Sequence, residues 1–419
     1  MHHLSTHHQT NTNTKTQDTT AASGSLIRSL SAGTMEGPYS ARFPSSPIGE
    51  KSRRAPAGRE AADERSARGR GPHHRERSTR HPRRAARHHD LEGPHMAGDT
   101  PYAHRPVMVD EVTRIFESVP PGVVIDATLG GGGHARALLT AQPHLRLLGV
   151  DQDDAALAAS ASLTDEFPGR VTLVRARFDR LAEVAAAHLD EIEGDVVITG
   201  VLFDLGVSSP QLDQADRGFS YRHDAPLDMR MDRSASLSAA DVVNTYDVAD
   251  LAAVLRDFGD ERFATRIARA IVAARPVTTT GELAELVRDA IPAPARRRGG
   301  HPAKRTFQAV RIEVNHELDI LPGTLDRAID LLAPGGRIAV LSYHSGEDRI
   351  VKDRLRQAET GGCVCPPGLP CACGAVALVR LLKRGGWTPT SGELAENPRS
   401  ESARLRAAER LPAPESETA

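Results

Sequence analysis

The stretch Val123-Val124-Ile125-Asp126-Ala127-Thr128-Leu129-Gly130-Gly131-Gly132-Gly133-His134 restricts this chain more than any other. Three β-branched apolar residues in a row read as a short buried strand, closed by an acid. Four glycines follow, and an Ala/Leu-rich run from Ala135 to Ala141 then reads as a helix. A strand, a glycine turn and a helix N-terminus let backbone press against a ligand. The turn is not a dinucleotide fingerprint. Counted from Gly131, the third glycine of G-x-G-x-x-G falls at position 136, where Arg136 stands. The competing reading, a plain surface turn, loses ground to the pattern of strands and acids downstream.

Apolar strands recur along the chain. Leu145 to Val150 is followed by Asp151, which stands 25 residues after Asp126 and is placed to take both hydroxyls of a ribose. The alternative for Asp151 is the N-cap of a helix over Ala155 to Ala161. Val171 to Val174 makes a third strand, and Phe178 just beyond it is either an adenine platform or plain core. Asp195 to Phe203 makes a fourth, entering Asp204-Leu205-Gly206-Val207-Ser208-Ser209-Pro210-Gln211. Strands alternating with helices predict a parallel sheet with right-handed crossovers, and ligands in such sheets sit beyond the carboxyl ends of the strands. Asp126, Asp151 and Asp204 all close strands on that edge. Their convergence predicts an α/β, Rossmann-like nucleotide site of the kind expected of S-adenosylmethionine enzymes.

The alternation then stops for about 100 residues. Amphipathic stretches such as Val248 to Phe258 and Arg262 to Ala274, broken by Gly and Pro, predict an inserted helical subdomain over 213–310. It carries Arg296, Arg297, Arg298, His301, Lys304 and Arg305, which form either a solvated face or an RNA contact. A long helix over Arg311 to Leu332, a fifth strand over Arg337 to Tyr343 and a helix over Glu347 to Gln357 come next. Ala375 to Leu382 reads as a closing strand, and the stretch carrying Arg404 and Arg406 as a basic helix. The core is thus expected over 96–212 and 311–410, with a disordered tail at 411–419.

Cys363, Cys365, Cys371 and Cys373 are the only cysteines, spaced C-x-C-x5-C-x-C. Four thiolates so close suit tetrahedral zinc, but C-x-C is tighter than the usual C-x2-C, and free or redox-active thiols remain open. No metal is assigned to the catalytic site. The clustering argues against a disulfide framework and suits a reducing cytoplasm. Neither a secretory apolar region nor an apolar run of spanning length is present.

Residues 1–95 carry 16 Lys/Arg against 9 Asp/Glu, whereas the remaining residues carry 37 against 46. A basic arm therefore precedes an acidic body, and contacts to a polyanion must be local on that body. The arm has almost no apolar periodicity and is expected to be disordered, either touching RNA or serving as an unselected tail. Translation beginning at Met96 is a further possibility, which mass spectrometry of the native N-terminus decides.

Several stretches together resemble the bacterial enzymes that methylate the exocyclic N4 of a decoding-centre cytidine in 16S rRNA. They are His104 to Met108, Asp126 to His134, Asp204 to Gln211, Pro226 to Asp232, Arg305 to Ala309, Ser342 to Ser345 and Glu396 to Arg399. They span residues 104 to about 410 in that family's order. The resemblance implies a class I S-adenosylmethionine-dependent methyltransferase fold, with 16S rRNA, within the small ribosomal subunit, as substrate. It implies that Gly131, Gly132, Gly133 and His134 meet the methionine part of the cofactor and Asp151 its ribose. Phe178 would lie by the adenine, and Asp204 and Gln211 would complete the site. The helical insert would help grip the rRNA. The arm and the cysteine cluster depart from the family's general pattern.

The turn after the fourth strand lacks the (Asp/Asn/Ser)-Pro-Pro-(Tyr/Phe) signature common among amino-methyltransferases. Asp204, Asp228, Asp232 and His344 are left as candidates to accept from the target amine, with Asp228 and Asp232 alternatively holding Arg230 or Arg233. A methyltransferase for a small molecule or protein, or a noncatalytic RNA-binding protein on the same scaffold, are the readings to separate from this one.

Overall fold

The computed structural model describes residues 105–189, 196–208, 211, 214–296, 300–366 and 368–414. The expected basic arm, Met96, Arg297, Arg298, the Ser209-Pro210 pair and the last residues of the tail lie outside them.

Among the described residues seven strands form one sheet: β1 (Gly122–Asp126), β2 (Leu145–Asp151), β3 (Val171–Arg175), β4 (Ile198–Asp204), β5 (Leu332–Ser342), β6 (Val379–Leu381) and β7 (Arg404–Arg410). Their order is β3-β2-β1-β4-β5-β7-β6. The first five are parallel, while β7 runs antiparallel to both its neighbours. This is the Rossmann-like α/β arrangement. The central strands are apolar on both faces because helices cover both, so Val123, Val124, Ile125, Val201, Leu202 and Phe203 are all fully buried. On one face the helix Val109–Phe116 packs so tightly on β4 that a Cβ at Gly200 would stand 2.6 Å from the Phe116 ring. The chain leaves β1 toward β2 on one side and enters β4 on the other, so the strand order reverses at the β1/β4 seam. Ligands bind at such reversals.

Two expected elements differ from those observed. The long helix over Arg311 to Leu332 is two helices, Lys304–Asn315 and Glu317–Leu331, broken at His316, whose φ of 52° no helix can carry through. The basic helix near Arg404 is instead β7. Ala403, Leu405, Ala407 and Ala408 are buried, while Arg406 reaches out to Asp348 at 2.7 Å and Glu409 to Arg337 at 2.8 Å. The apolar residues thus line a strand, and of the two arginines that suggested a helix Arg406 is ion-paired while Arg404 is exposed. The closing strand shrinks to three residues, because Ala375 to Leu378 belong to the cysteine loop.

Between β4 and β5 lie the helices Ala239–Thr245, Val248–Asp257, Ala264–Ala273, Thr280–Ala290 and Lys304–Asn315. Their starts follow from sequence: Ser238 and Thr279 form capping boxes, and the Asp247 carboxylate accepts from the amides of Ala249 and Asp250. They enclose their own core of residues such as Leu251, Leu255, Ile267, Ile271 and Val287. That core extends to Val314, beyond 310. Among the described residues, no helix is long and apolar enough to cross a membrane.

Candidate active site

The glycine turn is held by an acid from the neighbouring strand. Asp151 Oδ2 accepts from the Gly130 amide at 2.9 Å, and Oδ1 accepts from the Asp153 amide at 2.9 Å. Burial raises the Asp151 carboxyl above its ordinary value, although these amides oppose the rise. The next helix is capped not by Asp151 but by Asp153, whose side chain accepts from the Ala155 amide at 3.0 Å. Asp151 keeps lone pairs free to take further donors.

The glycines have different reasons for being glycine. Gly132 has φ 71°, and a Cβ there would stand 2.7 Å from Leu163; at Gly133 a Cβ would stand 2.5 Å from Pro106. Both therefore serve packing within the protein. Gly131 alone of the three has open space where a Cβ would go, and it lines the large cavity at this sheet edge, which Gly132 does not.

Next to the turn, His134 and two other strand-end acids act on Asp126. Asp126 is fully buried, and its carboxyl is pushed up to about 7 by burial, with His134 pulling the other way and Asp204 and Asp151 adding to the rise. His134 is buried and its Nε2 lies 3.5 Å from Asp204 Oδ2. Neither of its ring nitrogens makes a hydrogen bond among the described residues, nor does Ser208 Oγ. Asp204 is positioned at both ends: its amide donates to Thr128 Oγ1 at 2.6 Å, and Oδ1 accepts from the Tyr343 hydroxyl at 2.6 Å. Burial and the facing Asp204 carboxylate hold the Tyr343 hydroxyl well above its ordinary value, so it stays a donor.

Gln211 does not point at open space. Its Nε2 donates to Asp153 Oδ2 at 2.9 Å and its Oε1 accepts from the Ser208 amide at 3.0 Å. Asp153 Oδ2 also accepts from Arg217 Nη1 at 2.8 Å, in an ion pair with both side chains nearly inaccessible. Arg217 Nη2 then donates to the Arg230 carbonyl at 2.9 Å. One buried carboxylate thus ties the helix after β2, the turn after β4 and the insert together.

Asp204 and His344 line the same cavity, of about 800 Å³, together with Gly131, Gly133, His134, Asp151, Phe178 and Gln211. Phe178 meets Phe203 edge-on, with ring centroids 6.1 Å apart. His344 caps the helix Ser345–Thr360, its Nδ1 accepting from the amides of Gly346 and Glu347 at 3.2 and 3.4 Å. Its Nε2 lies 3.1 Å from Glu347 Oε1 without making an aligned hydrogen bond. Glu347 and Glu317 are both buried behind it. Burial pushes the Glu347 carboxyl up, but His344, Arg311 and the Tyr343 amide outweigh this and leave it below its ordinary value. Glu317 stays above its ordinary value, because burial outweighs its bidentate pair with Arg311 at 2.8 and 2.9 Å.

Asp228 and Asp232 do not join them. Asp228 accepts from Arg230 Nε at 2.6 Å, the structural role considered for it, and Asp232 pairs with Arg175 at 3.1 Å rather than with Arg233. Neither lines the cavity. The described members of the basic patch also disperse. Arg296 donates to the Ile291 carbonyl, His301 stacks on Tyr221 with centroids 4.4 Å apart, and Arg305 donates to the Asp260 carbonyl. Of these only Lys304 reaches the cavity, where Phe219, Tyr221, Arg222, His223 and Phe307 form the insert's wall. At its mouth the first and last of the resembling stretches meet: Arg105 pairs with Glu396 at 3.3 Å, and Asn397 Nδ2 donates to the Arg105 carbonyl at 3.4 Å.

The pattern described as the MraW methylase family matches residues 101–411. The ribosomal RNA small subunit methyltransferase H of Thermobifida fusca is 52% identical over 328 residues, covering 77% of this chain and 97% of that protein. The protein of the same name from Frankia casuarinae is 58% identical over 294 residues, covering 69% and 89%. This chain belongs to the MraW methylase family. Among solved structures, an rRNA methylase from Streptococcus thermophilus aligns with a TM-score of 0.31 at 11% identity, over 73% of this chain and 94% of that one.

Several residues that shape this MraW methylase's site escape a reading by strand ends. Tyr343 and Thr128 orient Asp204 from two other segments, and Arg217 and Asp153 lock the insert to the core. Tyr343 lies within a resembling stretch, Ser342 to Ser345, which signalled it. Arg217 had no local signal, because its partner is 64 residues away.

Proposed function

We propose that this chain transfers the methyl group of S-adenosylmethionine to the exocyclic N4 of a decoding-centre cytidine in 16S rRNA. The observation that carries this reading is one cavity with strand-end acids on one wall and aromatic and basic side chains on the other. The relatives named as small subunit rRNA methyltransferases support the substrate class.

The residues present fit the donor. Asp151 has lone pairs for ribose hydroxyls, Phe178 offers a ring beside the adenine, and Gly131 leaves room for close backbone approach. The nitrogens of buried His134 and the Ser208 hydroxyl, which make no hydrogen bond among the described residues, suit the charged methionine end, since buried polar groups require partners. Gln211 acts at one remove, by fixing Ser208 and Asp153. The donor supplies a methyl group already activated by a sulfonium, so the protein's main work is alignment, which is worth roughly 7–11 kcal/mol.

The N4 lone pair of cytosine is delocalised into its ring, and an acceptor on the amino group helps free it. Asp204 fills that role best. Tyr343 fixes Oδ1, leaving Oδ2 to accept from the amine and to receive or pass on its proton. His344 is less suited, since its Nδ1 is committed to helix capping. A base within folded RNA must be turned out of its stack to reach the site, and the half-buried Tyr221 ring on the cavity wall offers it a surface to pack on. A single cytidine in a folded decoding site is best recognised by shape, which favours the assembled small subunit in the cytoplasm.

Labelled S-adenosylmethionine, incubated with the protein and small subunits lacking the modification, should place label in N4-methylcytidine. Label in protein, in another nucleoside or nowhere overturns the reading. Asp151→Ala should weaken cofactor binding at least about tenfold, roughly 1.4 kcal/mol. An unchanged titration would mean the ribose acid lies elsewhere.

A further inference from the structure

The loop from Gly361 to Leu378 lies apart from the cavity. It joins the helix Ser345–Thr360 to β6, and its described residues form neither helix nor strand. Apolar burial does not explain its shape: Val364 is 85% exposed and Leu369 66%. Its four sulfurs nevertheless converge. Cys363 Sγ lies 3.5 Å from Cys371 Sγ, Cys371 Sγ 3.4 Å from Cys373 Sγ, and Cys373 Sγ 3.7 Å from Cys363 Sγ. With Cys365, all four lie within 4.8 Å of one another.

These separations are far from those of a disulfide, whose sulfurs stand about 2.05 Å apart. They are close to the edge of a tetrahedron, since four sulfurs each about 2.3 Å from a central ion stand about 3.8 Å from one another. The backbone turns inward as well. The Ala372 amide donates to Cys365 Sγ at 3.3 Å. Amide donors of this kind stabilise a thiolate, the form in which cysteine binds a metal. Gly362, Gly368 and Gly374, with φ of 71°, 87° and 73°, supply the reversals that let a C-x-C pair close on itself.

We propose that Cys363, Cys365, Cys371 and Cys373 form a structural zinc site that clasps this loop at the sheet's edge. Four protein thiolates complete a tetrahedron and leave no position for substrate, so the site is structural. An all-sulfur tetrahedron suits zinc or iron, and zinc is chosen because the proposed methyl transfer moves no electrons through the protein. β6 is three residues long and pairs only with β7, so it has little hold of its own. Immediately before it, the Leu378 amide donates to the Ala358 carbonyl at 2.8 Å. The clasp keeps the loop's length from pulling this junction open.

The test is metal analysis of the full-length protein produced with zinc and iron both available. The expected result is about one zinc per chain, released by a mercurial thiol reagent. Cobalt substitution should give the intense visible bands of a tetrahedral ion and sulfur-to-cobalt charge transfer. The Cys371→Ser, Cys373→Ser double variant should lose nearly all the metal. Limited proteolysis of the wild type after chelation should cut first within 361–378, with the cofactor titration unchanged. Stoichiometric iron, four free thiols that do not bind supplied zinc, or recovery of the cysteines as disulfides would each overturn the proposal. Should the double variant fail to fold, the wild-type stoichiometry and the cobalt spectrum decide alone.

Discussion

On the sheet side of the cavity, Asp151 and Asp204 stand where β2 and β4 end, with Asp126 buried beneath them at the end of β1, each fixed by a parallel ladder of backbone hydrogen bonds. On the insert side, Tyr221, Arg222, Lys304 and Phe307 come from a loop and a helix start, held by side chains that grip distant backbone. Asn315 Nδ2 donates to the Met229 carbonyl and its Oδ1 accepts from the Met231 amide, both at 2.8 Å. The sheet side is thus positioned by a repeating pattern and the insert side by single long-range contacts. One wall should tolerate loss of a neighbour, and the other should depend on a few residues.

The sharpest way to break this contrast is chemical. Asp204→Asn should lower kcat by about 10²–10⁴-fold with cofactor affinity nearly unchanged, as expected for loss of a proton acceptor. A comparable loss confined to KM would place Asp204 in binding instead. Next comes the joint between the walls. Arg217→Ala leaves Asp153 buried and unpaired, which should destabilise the protein by about 3–5 kcal/mol in denaturant titrations. A loss below about 1 kcal/mol would show that the insert does not depend on this pair.

A third test reaches below the sheet wall. Asp126 has a folded-state value near 7, above its unfolded value, so its contribution is greatest below about pH 4 and is lost as pH rises to 7. Asp126→Asn should therefore gain stability relative to wild type between pH 4 and 7, by a few kcal/mol, and level off above. A pH-independent difference would mean that Asp126 is not the group responsible. The smallest effect is expected on the insert wall. Lys304→Ala should weaken RNA binding a few-fold and reduce the salt dependence by about one ion, while leaving the cofactor titration untouched.

The same contrast explains what the sequence disclosed. The strand-end acids were legible because apolar runs, glycines and acids recur at regular intervals, and the sheet obeys that periodicity. The roles of Gly132 and Gly133 were not, since only Leu163 and Pro106 in place show that they serve packing. His344 read as a candidate base until its Nδ1 was seen to cap a helix. Asp228 and Asp232 share one short stretch, but the arginines that hold them, Arg230 and Arg175, lie 2 and 57 residues away. Charge hid the last strand, because ion pairs to Asp348 and Arg337 remove the cost that a sequence reading assigns to arginine and glutamate in a sheet.

That strand carries a further consequence for how the molecule is made. β7 comes last along the chain yet lies inside the sheet, between β5 and β6. While residues 404–410 are still within the ribosome, β5 must present an unpaired edge, and β6 has no partner at all. The emerging chain is then open to association with other unfinished copies. Released chains truncated before Arg404 should therefore be protease-sensitive through β5 and β6, and chains that carry β7 should be resistant there.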